Sequence, residues 1–420
     1  LCIAAAYDGL SNDTRHPVLS KYIVVARKTK LLQKPILSAP MNRAFSFSQL
    51  LGLILASTLA SCQTQQQALD SASSDRQSTT SPPVLHLLTW EGYTPIGLVE
   101  EFEQATNSQV KITYVQDNGE ILERLQAEQA DYDLVYPLMS DVFVTQVQFD
   151  LYQPIALERV ESLEQLIPAI AQEVARFTTT DRGQYALPTA WGTLGLIVNT
   201  AKVDRPVQSY QDICDPIYEG QVTYRLDFPT LAAAAYGLGY DPFSYIIENP
   251  REVEGWWTLM EASYYYLLNC QYNVEQYWDT HQDHANFMYD EEAIISLGWD
   301  STGWLLNQVN PDIKFIIPQE GALGWISTLA ITKQTDNLDL VYDWINFIYE
   351  PENAAKLVQT NGFLSPVQPA INYLPEAQKN LIMETFPPST IMEIHWYPPR
   401  LPQFDQVVDE YLKQLRINVN

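Results

Sequence analysis

An α/β fold is predicted by three features of this 420-residue chain. Apolar strand patterns alternate with amphipathic helical patterns from Val84 onward, an order that yields strands layered against helices in mostly parallel sheets. Large aromatic residues stand where strands give way to helices, as in "TWEGYTPIGLVEEF" (89–102). Rings at the carboxyl end of a strand often face a ligand crevice. No period of 20–50 residues recurs, which excludes a solenoid.

The elements follow in order. Strands are predicted over 84–90, 110–115, 132–138, 194–199, 221–226, 294–299, 313–317 and 326–332. Helices are predicted over 96–106, 119–129, 141–147, 230–238, 252–269 and 339–360. In the first helix Leu98, Phe102 and Ala105 form the apolar stripe. At the other end, "DEYLKQLR" (409–416) reads as an ordinary amphipathic helix end.

Residues 41–62 read "MNRAFSFSQLLGLILASTLASC": Arg43, an apolar run through Leu50, Ile54 and Leu59, then Ala60, Ser61 and Cys62. The run is too short for a comfortable transmembrane helix. It resembles a bacterial lipoprotein signal peptide (41–61), with Cys62 as the lipid-modified residue. Residues 1–40 are basic and fit no secretory pattern, so they read as an upstream extension with Met41 as the start. Residues 62–83 are rich in Ser, Gln and Thr. They are expected to be a flexible tether reaching about 25 Å.

Charge and cysteine usage fit export. Residues 1–61 hold seven Lys/Arg and two Asp/Glu, so they carry +5 and residues 62–420 carry −32 of the total of −27. Such an acidic body argues against nucleic acid and for a neutral or cationic partner. Beyond Cys2 and Cys62 only Cys214 and Cys270 remain. An even pair in an oxidising compartment is expected to form a disulfide, two unpaired buried thiols being the alternative.

Several blocks, taken together and in order, carry a resemblance. They are "TWEGYTPIGLVEEFEQATNSQVK", "YDLVYPLMSDV", "YALPTAWGTLGLIVNT", "SYQDICDPIYEGQV", "DEEAIISLGWDS", "GALGWISTLAITK" and "VYDWINFIYEPENAAKLVQTNGFLSP". From about Leu85 to Arg416 the chain resembles the extracellular solute-binding proteins of ABC importers, spermidine/putrescine-binding type. The resemblance implies a two-lobed periplasmic-binding-protein-like fold (type II), with ligand held between lobes joined by crossing hinge segments. The N-terminal lobe would comprise 84–188 plus 326–362, and the C-terminal lobe 189–325 plus 363–420. Crossings would fall near Pro188–Trp191, Gly324–Thr328 and Gly362–Pro366.

By the same resemblance Trp90, Tyr93, Trp299 and Trp325 would line the cleft. Methylene groups bury against ring faces while an ammonium gains cation–π attraction, roughly 0.5–2 kcal/mol per ring. A buried cation also needs anionic partners, and here the chain departs from the polyamine pattern. The acid expected directly before Tyr93 is Gly92, with Glu91 one residue earlier, and the acid expected two residues after Trp325 is Ser327. In "YRLDFPTLAAAAYGLGY" (224–240) Asp227 is the one acid, with Arg225 close by. Phe363 replaces a family tyrosine, and Asp300 beside Trp299 is a candidate replacement acid. Two ligand classes stay open: a polyamine held by Glu91, Asp227 and Asp300, or a less cationic guest such as a monoamine, a betaine-like cation or an amino acid pairing with Arg225. An amine-bearing small cation is favoured. Ser140 and Asp141 are either ligand contacts or a helix N-cap.

"HQDH" (His281, His284) has the wrong spacing for two zinc ligands at i and i+4, and reads as a solvated loop. Tyr264–Tyr266 resemble the adjacent tyrosines of iron-binding relatives, but successive helical residues face different ways, so packing is the expected role. No Gly-x-Ser-x-Gly, Walker or dinucleotide motif occurs. No enzyme activity, cofactor or metal site is therefore expected. The expected partners are a small amine, an ABC permease and, through Cys62, a membrane. The expected state is a lipid-anchored periplasmic monomer that closes about its hinge on binding.

Overall fold

Thirteen consecutive buried residues, Leu187–Asn199, form the longest strand. Burial on both faces is what the nearly unbroken run "LPTAWGTLGLIVN" encodes. The computed structural model describes residues 82–419 apart from 128, 129 and 291. The expected signal peptide, Cys62 and nearly all of the tether lie outside the described residues. Among the described residues, no helix is long and apolar enough to cross a membrane.

The strands are β1 (Val84–Trp90), β2 (Gln109–Val115), β3 (Leu134–Val135), β4 (Thr179–Thr180), β5 (Gly183–Gln184), β6 (Leu187–Asn199), β7 (Val222–Tyr224), β8 (Val274–Tyr277), β9 (Ile295–Trp299), β10 (Ile313–Ile316), β11 (Leu323–Ile331) and β12 (His395–Trp396). One sheet runs in the order β2-β1-β3-β11-β6-β9-β7-β8, with β10 added on β6 and β12 on β11. Its outer pairs are parallel: β1 with β2 and β3, and β7 with β8 and β9. Its centre is antiparallel, because β11 returns along β6 and also meets β3, while β9 and β10 oppose β6. The mostly parallel sheet expected from alternation is thus corrected to a mixed one. Alternation reports strand–helix–strand units, and it is blind to two long strands that run back past each other.

Two large apolar clusters lie along those long strands. The first gathers Leu85, Leu87, Leu88, Leu134, Leu187, Trp191, Leu329 and Ile331, together with Phe102, Trp344 and Ile345 from helices. The second gathers Leu194, Leu196, Val198, Val222, Leu297 and Leu323 with Leu231, Met260 and Phe404. Both β6 and β11 therefore start in one cluster and end in the other. Leu364, Val367, Ala370, Leu374 and Ile382 join the first cluster, and the last helix, Pro402–Val419, packs its apolar side on the second. A small third group, Ile197, Met288, Leu306 and Ile313, uses the opposite face of β6 from Leu196 and Val198, as the two-residue strand period requires.

Local chemistry sets the element ends. Helix Ile96–Thr106 follows Pro95 and stops at Asn107 in the left-handed region (φ 51°). In helix Asn118–Gln126 the Asp117 carboxylate caps the Glu120 amide at 2.9 Å, and Glu120 reaches back to the Gln116 amide at 2.9 Å. The single helix expected over 339–360 is two, Leu338–Tyr349 and Pro351–Asn361. Pro351 has no amide hydrogen to continue the first helix, yet its fixed φ suits the first position of the next. Strands β8 and β12 and helices Pro168–Thr178, Pro242–Glu248, His281–Tyr289, Asp300–Val309 and Glu376–Thr385 were not legible in the residue pattern. Cys214, at the end of the turn Tyr210–Cys214, is joined by a disulfide to Cys270, which caps helix Val253–Asn269, with the Cα atoms 5.0 Å apart.

Candidate functional site

The ring-rich junction after β1 is a turn. Gly92 has φ 87°, a conformation open to glycine, and the Tyr93 amide donates back to the Trp90 carbonyl at 3.3 Å. That reversal sends two rings different ways. Trp90 stays half-buried, its indole N–H donating to the Tyr136 carbonyl at 2.6 Å. Tyr93 turns inward and is buried, with its ring centroid 5.9 Å from those of both Tyr136 and Phe363. Burial raises the Tyr93 hydroxyl pKa well above its ordinary value. The nearby Ser327 hydroxyl opposes that rise without completing a hydrogen bond of ordinary geometry.

Trp325 lies on β11 directly opposite Gly192 of β6. A Cβ at 192 would come within 2.7 Å of the indole, so the glycine is what lets the ring lie across the strand. From there Trp325 meets Phe363 at 4.9 Å and Trp299 at 6.4 Å, both edge to face. Trp299 ends β9 and caps helix Asp300–Val309. The result is one continuous row: Tyr136, Tyr93, Phe363, Trp325, Trp299. Trp90, Phe363 and Trp325 pack against the first apolar cluster, and Trp299 packs against the second. Trp90, Trp299, Trp325 and Phe363 all keep some exposed surface, unlike core rings such as Trp344 and Trp256.

The acids near this row have partners within the chain. Asp300 is buried: one carboxylate oxygen accepts the Thr193 amide at 2.7 Å and hydroxyl at 3.0 Å, and the other accepts the Ser301 amide at 2.7 Å. Burial still pushes its carboxyl up to about 7 against those bonds. Asp227 caps helix Phe228–Gly237 through the Thr230 amide at 3.2 Å and lies 3.7 Å from Arg225; burial pushes it up to about 6. Asp141 is likewise raised to about 6 by burial, opposed by Arg400, whose guanidinium lies 3.5 Å away. Ser140 donates its hydroxyl to Asp141 at 3.0 Å, and its carbonyl accepts the Arg400 amide at 2.8 Å. Both residues fall within the first turn of helix Met139–Phe149, whose N-cap is Leu138. Glu91 is exposed.

Four contributors were not among the expected site residues: Tyr136 and Phe363 in the row, Gly192 opposite Trp325, and Arg400 beside Asp141. Only Phe363 had a signal, as a departure from the resembled pattern. The solvated loop expected for "HQDH" is corrected. His281–Tyr289 is a helix and His284 is fully buried, stacked on Trp278 with centroids 4.5 Å apart and bonded to the Ser296 hydroxyl at 2.7 Å. Burial lowers its pKa to about 3, leaving a neutral imidazole. Gly298 supplies the space for that ring, a pairing invisible to local pattern. Tyr264 is buried and Tyr265 half-exposed, their rings edge to face with centroids 5.0 Å apart, and among the described residues no three His, Cys, Asp or Glu are grouped to hold a metal. A cavity of about 1010 Å³ lies between the β10 region and residues 381–395, and no ring of the row lines it.

A family described as bacterial extracellular solute-binding protein matches residues 97–385. The chain belongs to that family. Among characterised members it is 25% identical over 286 residues to the spermidine/putrescine-binding periplasmic protein of Escherichia coli K12, covering 67% of this chain and 77% of that one. It is 26% identical over 343 residues to the putrescine-binding periplasmic protein SpuD of Pseudomonas aeruginosa, covering 76% and 88%. The spermidine/putrescine ABC transporter substrate-binding protein PotD of Streptococcus pneumoniae superposes with a TM-score of 0.68 at 20% identity, over 80% of this chain and all of that one. The Tp0655 (TpPotD) lipoprotein of Treponema pallidum superposes with a TM-score of 0.67 at 19% identity, over 80% and 99%. This solute-binding protein thus has the periplasmic-binding-protein α/β fold. It is the substrate-binding component of an ABC transporter and not an enzyme.

Proposed function

We propose that this solute-binding protein captures a small organic amine, of the polyamine class or a close relative, between two lobes, and presents it to an ABC permease. The observation that carries this is the row from Tyr93 through Phe363 and Trp325 to Trp299, which spans the two apolar clusters with partly exposed rings. Rings contributed by both sides of a hinged body can enclose alkyl carbons on their faces and attract the ammonium. The lobes would meet where β6 and β11 pass between the clusters. Trp90, Tyr93, Ser140, Asp141 and Ser327 would face the guest from one side, and Asp227, Trp299 and Asp300 from the other. Trp325 lies at the crossing, and Glu91 at the rim supplies long-range attraction. The acidic body, −32 over residues 62–420, favours a cationic guest. The protein would act outside the cytoplasm as a monomer, tethered through lipid-modified Cys62.

The test is a thermal-shift panel of polyamines, monoamines, betaines, amino acids and Fe³⁺ on the mature protein. A bound amine is expected to stabilise by about 2.7 kcal/mol at a hundredfold excess over its dissociation constant. Trp299→Ala is expected to abolish the shift while leaving the unliganded melting point nearly in place. An unchanged shift in that variant would move the site elsewhere.

A further inference from the structure

A guanidinium stands at the same sheet edge as the ring row with little to bind. In the parallel pair β7–β9, Val222 faces Ile295 and Thr223 faces Ser296. Continuing that register, Arg225 falls opposite Gly298, one residue before Trp299, at the same carboxyl edge. Arg225 is nearly half-exposed, and among the described residues its side chain makes no hydrogen bond. Its ion pair, with Asp227, is long at 3.7 Å. Its guanidinium lies 5.9 Å from the ring of Trp278, which follows β8 on the far side.

The surroundings suit an anion. The Trp278 indole N–H is buried without an acceptor. His281, whose pKa burial and the nearby Arg225 charge both lower, faces the Thr302 hydroxyl at 3.4 Å. Thr302 is in the first turn of the ten-residue helix Asp300–Val309 that Trp299 caps, where partial positive charge favours a negative group. The carboxylates there are already engaged, Asp300 by Thr193 and Ser301, and Asp227 by its helix amide.

We propose that Arg225 is a carboxylate-binding subsite beside the ring row, and that the guest is therefore a zwitterionic ω-amino carboxylate. Its ammonium lies on the rings and its carboxylate takes the guanidinium. This rests on the amine-capture reading and narrows it. A diamine of the same length would bring its second ammonium against Arg225 and gain no free acid there. A planar guanidinium with open donors instead matches a carboxylate in two-pronged geometry.

Isothermal titration of the mature protein with γ-aminobutanoate, its one-carbon-longer homologue, putrescine, butylamine and butanoate decides the matter. The amino acids are expected to bind roughly tenfold or more tightly than putrescine. Arg225→Gln should weaken them by roughly 10–100-fold, the worth of a lost charged hydrogen bond, and leave butylamine unchanged. Arg225→Lys should fall between. Putrescine binding as tightly as the amino acids, or an Arg225→Gln variant that keeps its preference, overturns the subsite and leaves amine capture standing. If none of the amines binds, amine capture falls and the subsite with it.

Discussion

The Asp300 carboxylate holds both the amide and the hydroxyl of Thr193, at 2.7 and 3.0 Å, in a fully buried setting. It thereby fastens the start of the helix after Trp299 to the middle of β6. Asp300→Ala would strand two buried donors and is expected to cost about 2–4 kcal/mol by chemical denaturation.

That same carboxyl gives a pH signature. Its folded pKa is raised to about 7 from an ordinary 3.8, so its contribution to stability is full below about pH 3.8 and lost as pH rises through 7. Asp141 and Asp227, raised to about 6, act in the same sense but are mostly spent by pH 6.5. His284, lowered to about 3, acts oppositely, mostly below its ordinary 6.5 and by no more than about 0.4 kcal/mol above it. Between about pH 6.5 and 8 the protein should lose about 1 kcal/mol of stability. Asp300→Asn should flatten that window. A slope that persists in the variant would assign it to another group.

Gly192 and Trp325 make a second prediction. Alanine at 192 would place its Cβ 2.7 Å from the indole, closer than packed atoms approach, so Trp325 must move. Overpacking of this kind costs about 1–3 kcal/mol. Amine affinity is expected to fall roughly tenfold by the loss of one desolvated ring contact. Pairing Gly192→Ala with Trp325→Phe should recover stability but not affinity. Recovery of both would mean that the indole is not needed at the site.

How much of this was legible in the sequence divides by range. Short-range signals carried β1, β2, helix Ile96–Thr106 and helix Val253–Asn269 nearly to the residue, because their apolar periods are local. The junction rings were legible for the same reason, each ending or following an apolar run. What pattern could not give were partners set by strand register: Gly192 under Trp325, Gly298 under His284, and Thr193 bonded to Asp300, which reads as a free acid in sequence. Arg400 is more remote still, reaching Asp141 across more than half of the body. Strand β8 (VEQY) escaped notice because its side chains are only partly buried and carry little apolar signal.

The Cys214–Cys270 bond closes a loop between residues 56 apart. Loop-closure entropy for that length stabilises by about 4 kcal/mol on the chain-entropy model, within a usual span of about 2–4. Reduction, or the double substitution Cys214→Ser and Cys270→Ser, is expected to lower the denaturation midpoint accordingly, while a reducing agent should have no further effect on the double variant. An unchanged midpoint on reduction would mean that the unfolded chain is already restrained there.

Arg400 and Asp141 provide the test that separates bracing from ligand contact. The arginine follows β12 between Tyr397 and Leu401, which pack on the second cluster, while Asp141 sits between Met139 and Val142 of the first. Their charges lie 3.5 Å apart, and the Arg400 amide also donates to the Ser140 carbonyl. Half-exposure of the guanidinium limits the direct contribution of the pair to at most about 1 kcal/mol. If the clusters are lobes that part, the pair exists only in the closed form. Arg400→Ala should then shift population toward the open form and weaken amine binding by roughly 3–5-fold, with a larger radius of gyration in small-angle scattering of the unliganded protein. Asp141→Asn should match it in both measurements, because either change removes the same brace. Should Asp141→Asn cripple binding while Arg400→Ala leaves it intact, Asp141 touches the guest itself, and the arginine merely neutralises it between ligands.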